Sequence, residues 1–466
     1  MRRGLHARVA DALVGGAGSD PDWRLVAAHY ERAERFDEAG SAYQRACDQA
    51  RRRGALEEAR TYLTKALTQL DRATSSPDRD RREITLRLQR GLLAAAAEGN
   101  YSRAAAADME QCLRLGGTDL RDDEAVATLT ALYGYYVTRA DLRRTVQVIE
   151  SLRAGVEQGR PWLRPAIETL FGVTALLRGE FDAAVCQLEQ AAKGLAGADH
   201  HQIEAVWSMP TDMIVATHIY PVLARLIRGD LTGAEAELAQ ATRRAEQLDF
   251  PQGPSSLANA RFVEVWMCID AGQLDRAAVL AADITDQAER YGFDMWRLMG
   301  ATQQGAVSAL AALGVDDVDP SGLAAHIATM TRFVDTWRTA GLNSFLPFFD
   351  AVLGRLLTAA GKPEQARARL DTALQLSRDT GMCFYDAELL RLRAHTHTAP
   401  DARRAEVGAA LELARRQGAT LFELRAALDD FELRGRPARA GLAEVVSRFP
   451  SDGAWPELVR AQASLD

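Results

Sequence analysis

The sequence predicts an all-α protein that forms a solenoid of about ten helical hairpins. A short phrase, a turn residue followed by apolar and small residues, recurs at intervals of roughly 40 residues along the chain. Apolar residues on both sides of each copy follow helical spacing, and Ala and Leu, which are good helix formers, dominate the aliphatic content. At 466 residues the chain is also too long for one ordinary core, which favours a repeat array.

The repeated phrase is clearest in RGEFDAAVCQLEQAA (178–192), where Gly179 marks the turn. Related copies are EGNYSRAA (98–105), RADLRRTV (139–146), IRGDLTGAE (227–235), DAGQLDRAA (270–278) and AAGKPEQAR (359–367). The steps between their turn residues are 41, 39, 50, 43 and 89 residues, and the last step covers two units, with a degenerate copy near Gly314. Each turn lies between two helical patterns, so each unit is predicted to be a hairpin of two helices.

Small residues on facing helices explain how each hairpin packs. Gly172 on the first helix, with Ala184 and Ala191 on the second, lets the two backbones approach closely. The same trio recurs as Gly354, Ala366 and Ala373. This pattern resembles the tetratricopeptide repeat, although the period here is longer than the standard repeat of about 34 residues. The resemblance implies a tetratricopeptide-like αα superhelix.

The chain divides, by its pattern, into four parts. Residues 1–20 form a helical lead-in, 21–74 the N-terminal hairpins, 75–433 the solenoid and 434–466 a C-terminal cap. The segment SSPDRDRRE (75–83) is the best candidate for a hinge because it combines Pro77 with a run of charges.

The two ends of the chain carry a sharper resemblance. The segments RRGLHARVADAL (2–13), CFYDAELLRLRAHTH (383–397) and ALELARRQGATLFELRAALDDFEL (410–433) resemble the C-terminal helical repeats of large bacterial signal-transduction ATPases. Members of that family carry an adenylate or guanylate cyclase domain before the ATPase, or a LuxR-type DNA-binding domain after the repeats. The sequence lacks a phosphate-binding G-x-x-x-x-G-K-[ST] loop, recognisable cyclase carboxylates and a C-terminal helix-turn-helix. The resemblance therefore implies the repeat module without the family's catalysis.

Charge, apolar runs and cysteine spacing limit the kinds of partner and environment that the sequence predicts. The net charge of −8 disfavours nucleic acid, which requires a clustered basic surface. No apolar run is long enough to predict a membrane span. Five widely spaced cysteines indicate neither a disulfide framework nor a zinc site, and they suit the cytoplasm.

Neither a cofactor nor a metal site is predicted. The run Asp199-His200-His201 lacks a third ligand at useful spacing, and His395 and His397 point to different sides of a helix. We therefore expect a protein that is not an enzyme.

Aromatic enrichment between residues 207 and 296 provides the candidate binding site. First helices line the concave face of tetratricopeptide arrays, and aromatic side chains there favour a protein or peptide partner. The predicted partner-binding residues are Trp207, His218, Ile219, Leu223, Phe262, Trp266 and Trp296. The alternative is that these residues form the core between hairpins.

The leading hypothesis is a non-catalytic interaction or sensor module of a bacterial signal-transduction system, which binds a protein segment or a small effector. Two alternatives stay open: a LuxR-type transcriptional regulator without its DNA-binding end, and an enzyme with a cryptic site between repeats.

Overall fold

The fold is all-α, as the sequence predicts. The computed structural model describes residues 2–16, 20–72, 77–117, 122–157, 159–198, 200–314, 322–450 and 455–466. Within these ranges the chain forms 24 α-helices and two short 3-10 turns, Pro161–Leu163 and Arg436–Ala438, and no strand.

The helices follow one another with short connections. The N-terminal group is α1 (Arg2–Gly15), α2 (Trp23–Arg32), α3 (Phe36–Arg52) and α4 (Leu56–Leu70). The next group is α5 (Pro77–Glu98), α6 (Arg103–Gly116), α7 (Asp123–Thr138), α8 (Leu142–Glu157), α9 (Arg164–Leu177), α10 (Phe181–Ala196), α11 (His200–Val206), α12 (Met213–Ile227) and α13 (Leu231–Ala245). The last group is α14 (Gln252–Asp270), α15 (Leu274–Tyr291), α16 (Asp294–Leu313), α17 (Leu323–Ala340), α18 (Leu346–Ala359), α19 (Pro363–Thr380), α20 (Asp386–Ala394), α21 (Pro400–Gln417), α22 (Thr420–Arg434), α23 (Arg439–Val446) and α24 (Pro456–Leu465).

Antiparallel hairpins are the repeating unit. Nine of them run through the described residues from α5 to α23: α5–α6, α7–α8, α9–α10, α12–α13, α14–α15, α16–α17, α18–α19, α20–α21 and α22–α23. Gly179 turns the chain between α9 and α10 at φ +71°, in the left-handed region that glycine adopts without a steric penalty. A Cβ atom on Gly172 would lie 2.6 Å from Leu188 Cγ, which confirms that a small residue is required where these two helices meet.

The stack coils back on itself every five hairpins. The α7–α8 turn is hydrogen-bonded to the start of α18, because Asn343 N donates to Thr138 O at 2.9 Å. The α9–α10 turn meets the start of α20 in the same way, since Cys383 N donates to Leu177 O at 3.0 Å. Gly272, in the α14–α15 turn, packs against Pro456 at the start of α24. Successive superhelical turns are therefore in direct contact.

Aromatic side chains fill part of the superhelix interior. Phe262 and Trp266 on α14 contact rings from later first helices, and the closest pair is Trp266–Phe348, with ring centroids 4.1 Å apart. The other rings in this aromatic plug are Trp296, Trp337, Phe345, Phe349, Phe384 and Tyr385. The interior is therefore closed at this level, by aromatic residues for which the sequence left open a concave binding face or a core between hairpins.

The predicted domain boundaries fall within a continuous stack. Helix α4 packs on α5, and α22 packs on α23 and α24, as neighbours do elsewhere. Residues 73–76, where the predicted hinge begins, lie outside the described residues, as do 315–321 and 451–454. The four-part division stays a prediction.

Candidate functional site

A cavity of about 80 Å³ lies on the superhelix axis, on the N-terminal side of the aromatic plug. Its walls come from seven consecutive hairpins, beginning with Ala95 on α5 and ending with Phe345 at the start of α18. The site therefore exists only because the chain completes a full superhelical turn around it.

Two tryptophans dominate the apolar wall. Trp296 Nε1 donates to Ser255 Oγ at 3.2 Å, and Trp207 Nε1 donates to Thr211 O at 2.7 Å. Both indole donors are thus satisfied by the protein, and the rings are held in place. Both rings line the cavity and offer apolar surface to a ligand.

Neutral polar side chains lie in the wall among further aliphatic and aromatic residues. Asn259 Nδ2 donates to Thr211 Oγ1 at 3.1 Å, while Asn100 and Tyr220 line the same cavity. Burial raises the pKa of Tyr220 to about 12, so its phenol stays protonated at neutral pH and can donate a hydrogen bond. No charged side chain occurs among the described lining residues. This chemistry suits an uncharged ligand that has an apolar face and a few hydrogen-bonding groups.

The connection between α11 and α12 covers one side of the cavity. Asp212 caps α12 by accepting from Val215 N at 3.1 Å, and its own backbone N donates to Ser256 Oγ at 2.9 Å. Arg244 forms an ion pair with the same carboxylate at 3.2 Å. These bonds fix the segment that carries Trp207, Met209 and Thr211 into the wall.

The predicted partner-binding residues separate into four groups. Trp207 and Trp296 line the cavity. Phe262 and Trp266 lie in the aromatic plug, each 1% exposed, and His218 Nδ1 is 2.7 Å from Glu237 Oε2 between α12 and α13. Ile219 and Leu223 are buried on α12, at 0% and 1% exposure. In this closed form the four most buried residues offer no surface to a partner, so their role in partner binding stays a prediction that requires the superhelix to open.

Several cavity residues were missed by sequence reasoning. Asn100, Thr138 and Asn259 belong to three different hairpins and follow no shared motif, so only the closure of the superhelix brings them together. The one available signal was the polar character of Thr138 and Asn259 on otherwise apolar first helices, since Asn100 lies in the turn between α5 and α6.

Three of the histidines noted in the sequence have a hydrogen-bond partner within the protein. His395 Nε2 lies 2.7 Å from Asp429 Oδ2, and His397 Nε2 lies 2.6 Å from Glu406 Oε2. His200 Nε2 is 2.8 Å from Leu195 O, while Asp199 lies outside the described residues. Across the described part of the chain, His, Cys, Asp and Glu form no group of three that could hold a metal ion.

The fold and the cavity together define a helical-repeat superhelix with an enclosed cavity on its axis. No protein-family model and no curated protein matches the chain. Similar solved structures include the tetratricopeptide domain of P58(IPK), at 14% identity over 94% of this chain and 100% of that one, with a TM-score of 0.27. Yeast Tom70 is 14% identical over 99% of this chain and 95% of that one, with a TM-score of 0.31. The low TM-scores mean that the fold assignment rests on the chain's own helices. Within the described residues, no helix is long and apolar enough to cross a membrane.

Proposed function

We propose that the protein is a non-catalytic sensor and interaction module of a bacterial signal-transduction system, with the axial cavity as its effector site. The observation that carries the proposal is the uncharged, aromatic-walled cavity at the centre of a superhelical turn. The sequence resemblance of both ends to signal-transduction ATPases supports the signalling role.

The cavity wall contains a contact between successive superhelical turns, which supports a sensor mechanism. Thr138 lines the cavity, and its carbonyl accepts hydrogen bonds from Asn343 N at 2.9 Å and Ser344 N at 3.1 Å. Ser344 and Phe345, from the following turn, line the cavity as well. A ligand there touches both turns and binds the closed form better than an opened one. Only such differential affinity shifts a conformational population.

The output is a change in the surface offered to a protein partner. Opening of the superhelix would expose Phe262 and Trp266, whereas an effector in the cavity would keep these aromatic rings covered. The partner is therefore expected to bind the free module more tightly than the effector-bound one, by thermodynamic reciprocity.

A thermal-shift screen with uncharged small molecules tests the effector site. A ligand of the closed form raises the melting temperature in proportion to ln(1 + [L]/Kd). We expect Tyr220→Phe and Asn259→Ala each to weaken binding by about fivefold, the effect of one lost hydrogen bond. Tyr136→Phe, outside the cavity, is the matched control. The absence of any stabilising compound, or hits unaffected by both cavity variants, would refute the site.

A pull-down with and without the identified effector tests the output. Loss of a captured partner on adding effector supports the sensor mechanism, and unchanged capture contradicts it. Turnover of ATP or GTP by the purified protein would contradict the non-catalytic assignment.

A further inference from the structure

A second site lies on the superhelix axis beyond the aromatic plug, where four arginines form a ladder. Arg355, Arg391, Arg425 and Arg460 occupy α18, α20, α22 and α24, at steps of 36, 34 and 35 residues. All four line one groove of about 410 Å³. The nearly equal spacing places one guanidinium from each successive first helix on the inner wall.

The two middle arginines are fully engaged by carboxylates. Arg391 forms ion pairs with Glu388 at 2.8 Å and Asp429 at 2.9 Å. Arg425 bonds Asp270 at 2.9 Å and Glu457 at 2.8 Å. These pairs hold the pKa of Glu388 down, at about 2, and they also lower the pKa of Asp429 and Glu457 against the effect of burial. The middle of the ladder is therefore structural.

Arg355 lacks the partners that its position has on the other helices. The residue three places earlier is Val352, where α20 has Glu388, and the residue four places later is Ala359, where α22 has Asp429. Its side chain forms no hydrogen bond or ion pair with the described part of the chain and stays accessible from the groove. Arg355 is exposed in the groove, where Arg391 and Arg425 repel its guanidinium and no carboxylate of the described residues pairs with it. A cation in this setting attracts an anion.

We propose that this groove is a small-molecule site in which Arg355 binds an oxyanion group, a phosphate or a carboxylate. A guanidinium donates parallel hydrogen bonds to either group, and the groove volume matches that of a metabolite. Glu432 lines the same groove, is exposed and forms no ion pair with a described residue, so its charge favours a ligand whose anionic end contacts Arg355 rather than Glu432. The site is separate from the uncharged cavity and independent of its proposed role.

Titration of the full chain with inorganic phosphate and with succinate tests the site and distinguishes the two sources of oxyanion. We expect saturable binding of at least one probe with a Kd below about 10 mM. Arg355→Met should weaken that binding at least tenfold, an energy of about 1.4 kcal/mol. Arg355→Lys should retain part of the affinity, and Arg416→Gln, on the outer helix α21, is the matched control.

The stability of the free protein gives a second readout. Because Arg355 is exposed and forms no ion pair with a described residue, Arg355→Met without ligand should melt within about 2 °C of the native chain. Removal of a paired charge in Arg391→Met should lower the melting temperature by more. The proposal is overturned if neither probe binds, if Arg355→Met binds as the native chain does, or if Arg355→Met lowers the melting temperature as much as Arg391→Met does.

Discussion

At the scale of single residues, the glycines on the first helices set how closely each hairpin closes. Gly172 has no room for a methyl group, because a Cβ would lie 2.6 Å from Leu188 Cγ, and Gly354 meets Leu370 in the same way, at 2.9 Å from Cδ2. Gly408, by contrast, lies exposed in the middle of α21, where a methyl group would have no neighbouring atom within 4 Å. The same substitution should therefore have opposite effects at the two kinds of site.

We expect Gly172→Ala to reduce the free energy of unfolding by about 1–3 kcal/mol, as overpacking of a close interface does. Gly408→Ala should increase it by about 0.5–1 kcal/mol, because alanine restricts the unfolded chain and favours the helix. Urea denaturation of both variants measures the two changes. Equal effects of the two substitutions would mean that helix propensity alone decides, and that the Gly172 contact is not tight.

Residue patterns predicted the hairpins but not their interior. Gly172, Gly179 and Ala184 were recognisable because their contacts lie within one repeat, where residues close in the sequence are also close in the structure. Asn100 and Asn259 are 159 residues apart, and only the radius of the superhelix brings them to one cavity. A pattern with a period of one hairpin carries no information about a contact made five hairpins later.

At the scale of helices, the junction between α19 and α20 contains a titrating group. Asp386, in the first turn of α20, accepts a hydrogen bond from Ser377 Oγ on α19 at 2.5 Å. Burial raises the pKa of this carboxyl to about 6, and the bond from Ser377 opposes the rise only in part. The folded state therefore holds the proton more tightly than the unfolded chain, in which the pKa is near 3.8.

This raised pKa should make Asp386 a source of pH-dependent stability. The contribution of Asp386 to the free energy of unfolding is complete below about pH 4. It is lost as the pH rises through about 6, because the carboxyl ionises at a lower pH in the unfolded chain than in the folded one. At about 1.36 kcal/mol per pKa unit, the free energy of unfolding falls by about 2–3 kcal/mol. Asp386→Asn cannot ionise and should lack this slope. The difference in unfolding free energy between the native chain and Asp386→Asn, measured from pH 4 to 6.5, tests this; a constant difference would show that the carboxyl titrates normally.

The burial of helix α14 was hard to predict from the sequence. Most of its residues are buried, and Phe262 and Trp266 face rings at the starts of two later first helices, α18 and α20. Such a helix is typical of the centre of a large core. The sequence placed these aromatic residues on a concave face and left open whether they were surface or core, because periodicity defines a face but does not show what covers it.

At the scale of the whole molecule, contact between superhelical turns changes how the repeat array should unfold. An open solenoid has only nearest-neighbour contacts and can lose its hairpins in stages. Here Asn343 is bonded to Thr138, and Cys383 to Leu177, across about five hairpins. The first and second turns should therefore support each other, and the native chain should unfold in one cooperative step.

Arg425 is the side chain that best tests this coupling. It bonds Asp270 on α14 and Glu457 on α24, and its side chain is 9% exposed. Arg425→Gln leaves these carboxylates without their counter-ion, which should reduce the free energy of unfolding by about 3–5 kcal/mol. In the native chain, urea transitions followed by far-UV circular dichroism and by tryptophan fluorescence should coincide. In Arg425→Gln the two transitions should separate, because the ion pair that joins the C-terminal hairpins to α14 is then lost. Separate transitions in the native chain would show that its superhelical turns unfold independently and that closure contributes little to stability.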